Sequence, residues 1–158
     1  MKLAKILVPL DGSTLAESAL WKPAELANGG TVSLLRAAEA HTLPGADPVD
    51  AQVSAVREAE EYLGSVVNRL QGKGVKNVET HVWYGPPASA IVEAAQVQKA
   101  DLIVMSTHGR SGVGRLILGS VAESVLRGTR TPILVVRTDS APVESQKGAK
   151  PAKEPARV

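Results

Sequence analysis

Five short, mainly apolar runs separated by longer stretches of helical spacing constrain this chain more than any other feature. The runs are residues 5–10, 32–38, 78–83, 102–105 and 133–136. Each is too short for a core helix, and residues 5–10 and 102–105 have the near-continuous apolar character of strands buried on both faces of a parallel sheet. Between them lie four helical patterns. Leu15, Ala19, Leu20, Ala24 and Ala27 share one helical face, behind a turn in which Ser13 or Thr14 can cap the helix, and Pro23 predicts a kink there. Val49, Val53, Val56, Leu63, Val67 and Leu70 form the clearest helical stripe, opened by Asp47 as N-cap and Pro48 at the first helical position. A third helix follows Gly85-Pro86-Pro87 to about Lys99, and a fourth spans residues 121–127 before Gly128. Five strands alternating with four helices predict a doubly wound α/β domain with a five-stranded parallel sheet.

The chemistry concentrates after the fourth strand. Residues 106–120 read Ser-Thr-His-Gly-Arg-Ser-Gly-Val-Gly-Arg-Leu-Ile-Leu-Gly-Ser, a glycine-rich loop between a buried strand and a helix. That order places backbone N–H groups around a phosphate at a helix N-terminus. No acidic residue lies between Asp101 and Glu123, whereas His108, Arg110 and Arg115 do. Arg110 and Gly112 are therefore candidate anion contacts, and Arg115 is equally a solvated cation. The competing reading of the loop is a tight surface turn with solvated arginines. The P-loop pattern fails here, because Arg115 stands at its lysine and Leu116 at its Ser/Thr. With a strand order of 3-2-1-4-5, the turn at Asp11 and this loop meet at the switch point where such sheets hold ligands. Asp11 has two readings, a cap for the first helix or a ligand group, and His108 has two, a plain loop residue or a contact.

Composition narrows the alternatives. At 158 residues the chain suits one domain, assigned to residues 1–138, and its 44% apolar content includes no phenylalanine, so Leu, Val, Ile and Ala must build the core. A formal charge of +2 argues for neither nucleic acid nor membrane as partner. No cysteine is present, which removes disulfides and thiolate chemistry and suits a cytoplasmic location. Residues 139–158, with three prolines and several lysines, read as a disordered tail. His41 and His81 lack ligand-spaced partners, so no metal site made of protein alone is expected. Ser106, His108 and Asp11 do not make a catalytic triad, because no G-x-S-x-G elbow precedes a helix.

Four motifs in order resemble the universal stress protein family. They are residues 6–13 (Ile-Leu-Val-Pro-Leu-Asp-Gly-Ser), residues 85–87 (Gly-Pro-Pro), residues 100–105 (Ala-Asp-Leu-Ile-Val-Met), and Ser106-Thr107-His108-Gly109 with nine residues leading to Gly119-Ser120. The resemblance implies a Rossmann-like fold of the adenine nucleotide alpha hydrolase type. It also implies a regulatory protein that binds ATP with Mg2+ and dimerises through Ile133, Leu134, Val135 and Val136. The family's nucleotide motif is G-x-x-G, nine residues, G-[ST]; Gly109, Gly119 and Ser120 match it, and Ser106 stands at its first glycine. Position by position, the resemblance puts Asp11 by the ribose or a nucleotide-borne metal, framed by Pro9 and Ser13. It puts Ala37 at the adenine and Met105 against base or sugar. His108 and Gly109 would line the phosphate side, and Gly119, Ser120, Val121 and Ala122 would hold the phosphates. Other readings are a dimeric scaffold that binds no nucleotide and a slow hydrolase of nucleotides or phosphoesters. Any ATPase activity should be weak, since no general base or arginine finger is evident.

Overall fold

β1 (Lys5–Pro9) buries Ile6, Leu7 and Val8 completely, as a central strand must. It lies between β2 (Thr31–Ala38) and β4 (Leu102–Gly109), with β3 (Val78–Tyr84) beyond β2 and β5 (Ile133–Asp139) beyond β4. All four pairings are parallel, and the order is 3-2-1-4-5 as expected. The computed structural model describes residues 3–109 and 118–139. Arg110, Gly112, Arg115 and residues 140–158 lie outside them; Asp139, expected as the first residue of a tail over 139–158, instead ends β5.

Alternation along the strands divides the core in two. Ile6, Val8, Val32, Leu34 and Val104 face one way, onto Ala19, Leu20, Leu63, Val66 and Leu70 of the helices on that side. Leu7, Leu35, Ile103 and Met105 face the other way, onto Ile91, Ala94 and Ala95 of α4 (Pro87–Val97) and Ala122 and Val125 of α5 (Ser120–Gly128). Each buried Leu, Ile or Val contributes about 1.5–3 kcal/mol, so two aliphatic layers suffice without phenylalanine.

The first helical pattern departs from expectation. It is two helices, α1 (Thr14–Ser18) and α2 (Trp21–Leu26), so five helical segments alternate with the strands. The break falls at Ala19–Leu20, upstream of Pro23. Proline has no N–H for the carbonyl of Ala19, four residues back, and its ring crowds that carbonyl. Ala19 O instead accepts from Lys22 N at 3.1 Å, a tighter turn. α3 (Pro48–Gly72) opens as the sequence predicts, with the Asp47 carboxylate accepting from Val49 N at 2.8 Å. Its first buried residue is Ala59, three turns in, and Val49 and Val53 remain 66% and 52% exposed.

Two local features fix the crevice at the carboxyl end of the sheet. The ladder between β1 and β4 runs through Ile6–Leu102 and Leu7–Ile103 only, and β4 continues six residues beyond it. Pro9 at the end of β1 has no N–H with which to extend it. At the opposite end, Asp101 ties the two strands together, its Oδ2 accepting from Ala4 N and Lys5 N at 2.9 Å each. Hydrogen bonds to a charged group contribute about 1.5–3 kcal/mol each in favourable sites, and this pair is partly solvated. Asp101→Ala should therefore lower unfolding stability by about 2 kcal/mol, read as a shift in urea midpoint. An unchanged midpoint would show that water replaces the carboxylate without loss.

Candidate functional site

The separation of β1 from β4 opens a cavity of about 460 Å³ at the carboxyl ends of the central strands. That lies within the range of small-molecule sites, about 300–1,000 Å³. One wall is the end of β1 and the following turn, with Pro9, Leu10, Asp11 and Ser13. A second is the end of β2 and its loop, with Leu35, Arg36, Ala37, Glu39 and His41. The floor is Met105, Ser106 and Thr107 of β4, and the far wall is Gly119, Ser120, Val121 and Ala122 at the start of α5. Leu15 and Ala16 of α1, and Pro87 and Ile91 of α4, complete the lining.

Asp11 does not cap α1. Ser13 does, its Oγ accepting from Ala16 N at 3.1 Å. Asp11 braces that cap: Oδ1 accepts from Ser13 N at 2.9 Å and from Ser13 Oγ at 2.6 Å. Burial by itself pushes the Asp11 carboxyl up. The two Ser13 bonds, a bond from its own backbone amide and, least, the charge of Arg36 outweigh it, and the group lies below its ordinary value. The cavity therefore carries an ionised acceptor at neutral pH. Glu17, one turn on, is likewise held low, chiefly by the Arg69 guanidinium at 2.7 Å and also by the Tyr62 hydroxyl at 2.9 Å.

The wall opposite has the reverse character. Gly119 caps α5 with no side-chain bond, and the first backbone bond of the helix is Glu123 N to Gly119 O at 3.0 Å. The amides of Ser120, Val121 and Ala122 therefore have no acceptor within the helix, and the partial positive charge of its N-terminus adds to them. Gly119 is exposed, and a Cβ built on it meets nothing within 4 Å. Amides at a helix N-terminus of this kind suit an anion.

Ten of the residues expected from sequence line this cavity: Pro9, Asp11, Ser13, Ala37, Met105, Ser106, Gly119, Ser120, Val121 and Ala122. His108 and Gly109 are the last two residues of β4. Ser106 lies in extended strand paired with Val136, so serine at this position meets no left-handed backbone angle. Sequence reasoning missed Arg36, Glu39 and His41. Arg36 left a signal, the one charged residue in a mainly apolar strand; Glu39 and His41 lie in a loop whose path no local pattern foretells.

A family model, the universal stress protein family, matches residues 2–137. The chain belongs to the universal stress protein family. A Staphylococcus aureus (strain USA300) protein assigned by name to the same family is 35% identical over 146 residues, which is 89% of this chain and 88% of that protein. A universal stress protein solved in complex with cAMP superposes with a TM-score of 0.69 at 24% identity, covering 88% of this chain and all of that one. A family member from Arabidopsis thaliana solved with AMP bound superposes with a TM-score of 0.61 at 18% identity, covering 90% and 97%. This universal stress protein thus shares their Rossmann-like architecture. Among its described residues no helix is long and apolar enough to cross a membrane.

Proposed function

We propose that the cavity binds an adenine nucleotide and that the protein acts as a nucleotide-dependent regulatory module. The observation that carries this reading is the pairing of opposite chemistries across one nucleotide-sized space: three amides at the start of α5 that have no acceptor within the helix and an ionised carboxylate at Asp11. Phosphates suit the first wall and are repelled by the second, which suits hydroxyl donors. Between them Ala37 and Met105 offer apolar surface for a base. The cAMP and AMP complexes of two fold relatives support the ligand class. Within that class we assign ATP with Mg2+, on the match of Gly109, nine residues, Gly119 and Ser120 to the family motif. The nucleotide would bring the metal with its phosphates.

A homodimer is part of the proposal. β5 closes one edge of the sheet, and Ile133, Leu134, Val135 and Val136 are each only half-buried there. Unpaired edge strands of this composition call for a cover.

The experiment uses the purified full chain. Denatured protein is analysed for released nucleotide by chromatography and mass, and stripped protein is titrated with ATP, with and without Mg2+, and with AMP and cAMP. Saturable binding of one of these at one site per chain is expected. If none binds, the nucleotide reading fails and the scaffold reading replaces it. Sedimentation of the same sample should give about twice the 16.5 kDa chain mass; a species at the chain mass removes the dimer.

A further inference from the structure

Arg36 is a strand residue with an unusual set of neighbours. Its guanidinium carbon stands 5.3 Å from the centre of the Tyr62 ring, on α3. Nη1 lies 3.1 Å from the point where a side chain on Gly12 would begin, and Gly12 has φ +85°. Glycine at this turn therefore serves twice, by reaching a left-handed angle and by leaving room for the cation. Nη1 is buried and has no hydrogen-bond partner among the described residues. The Tyr62 platform is itself fixed, since its hydroxyl donates to Glu17 Oε1, whose second oxygen receives Arg69.

A buried nitrogen of a cation with no hydrogen-bond partner among the described residues is costly unless a nearby charge needs it. Here that charge is Asp11, next to Gly12 on the adjoining wall of the same cavity, where the charge of Arg36 helps to hold its carboxyl low. Both bonds from Ser13 to Asp11 fall on Oδ1, so the carboxylate keeps acceptor capacity for a ligand. A carboxylate cannot select phosphate; it selects donors, and the donors of a nucleotide beyond its base are the sugar hydroxyls.

We propose that Arg36, stacked on Tyr62 and seated in the space above Gly12, is a positioning residue that holds the Asp11 turn as the reader of a ligand's ribose hydroxyls. The proposal rests on the nucleotide reading of the cavity. It makes the site selective for ribonucleotides, and it assigns that selectivity to a residue that need not touch the sugar.

The test compares AMP with its 2′,3′-dideoxy counterpart by calorimetry on wild type, Arg36→Met and Arg36→Lys. Wild type should favour AMP by about tenfold or more, the worth of a hydrogen bond to a charged group. Arg36→Met should bring that ratio close to one while dideoxy-AMP binds nearly as before, and Arg36→Lys should restore part of it. Tyr62→Leu removes the platform while sparing Asp11, Gly12 and Ser13, and should lower the ratio as well, so the idea stays testable if Arg36→Met does not fold. A wild-type ratio kept in Arg36→Met, or kept in Tyr62→Leu when Arg36→Met does not fold, overturns the Arg36 assignment alone. A ratio of one in wild type with AMP bound also overturns it, and absence of any nucleotide binding overturns the reading beneath it.

Discussion

Gly119→Val is expected to remove nucleotide binding while leaving the protein folded. At φ −62° and ψ 159° the backbone of Gly119 suits any residue, and a Cβ there meets nothing within 4 Å. The fold loses only a favoured helix cap, at most about 1 kcal/mol. The ligand loses far more. A branched side chain at the cap stands beside the amides of Ser120, Val121 and Ala122 and holds a phosphate away from them. Two or three charge-assisted bonds at about 1.5 kcal/mol or more each correspond to at least about a hundredfold in affinity. Calorimetry of ATP binding and a thermal melt on one preparation check both halves. Wild-type affinity in this variant would mean that the phosphates do not sit at α5.

Gly30→Ala should do the opposite, harming the fold without touching the site. Gly30 lies between α2 and β2, where its N–H donates to Ala27 O. A methyl group there would press on the backbone carbonyl oxygens of Leu3, Ala4 and Ala27, the last two at 2.9 Å. None of these is the movable end of a side chain. Relief requires shifting the start of β1, and with it the bond from Thr31 N to Ala4 O at 2.8 Å. Overpacking of this kind costs about 3 kcal/mol, which for a chain of this size lowers the melting temperature by roughly 10 °C. A melt within 2 °C of wild type, a shift of about that size being under 1 kcal/mol, would show that the neighbouring backbone yields freely. Gly29 next to it, at φ +90° with open space around it, is sensitive to conformation alone.

The fold was legible because burial on both faces of a parallel strand leaves a local signature. Residues 5–10 and 102–105 need no knowledge of their neighbours to read as central strands. The length of β4 was not legible. Ser106, Thr107, His108 and Gly109 have the composition of a loop and are strand because Val136 to Asp139 pair with them. Pro23 marked a disturbance correctly, but its effect falls four residues upstream, at the carbonyl it cannot serve. Val49 and Val53 obeyed the helical period and still lie in solvent, since periodicity reports a face and not how far the sheet beneath it extends. At the site, the cap at Gly119 was evident from strand, glycines and helix. The respective tasks of Asp11 and Ser13 were not, because either residue can cap a helix and only geometry assigns the bond. Arg36 was hidden by the same limit: its partners, Gly12 and Tyr62, lie 24 and 26 positions away along the chain.

The early end of the ladder between β1 and β4 has a mechanical meaning. Above Leu7 and Ile103 the sheet is two leaves, one of β3, β2 and β1 and the other of β4 and β5, stitched together at their base. Asp11 belongs to the first leaf, and the start of α5, packed on Met105 and Ile103, belongs to the second. A molecule that grips both is a clasp across the seam. On the nucleotide reading, its arrival would stiffen the joint between the leaves, and in the proposed dimer β5, at the outer margin of the second leaf, is where a partner copy would feel that stiffening.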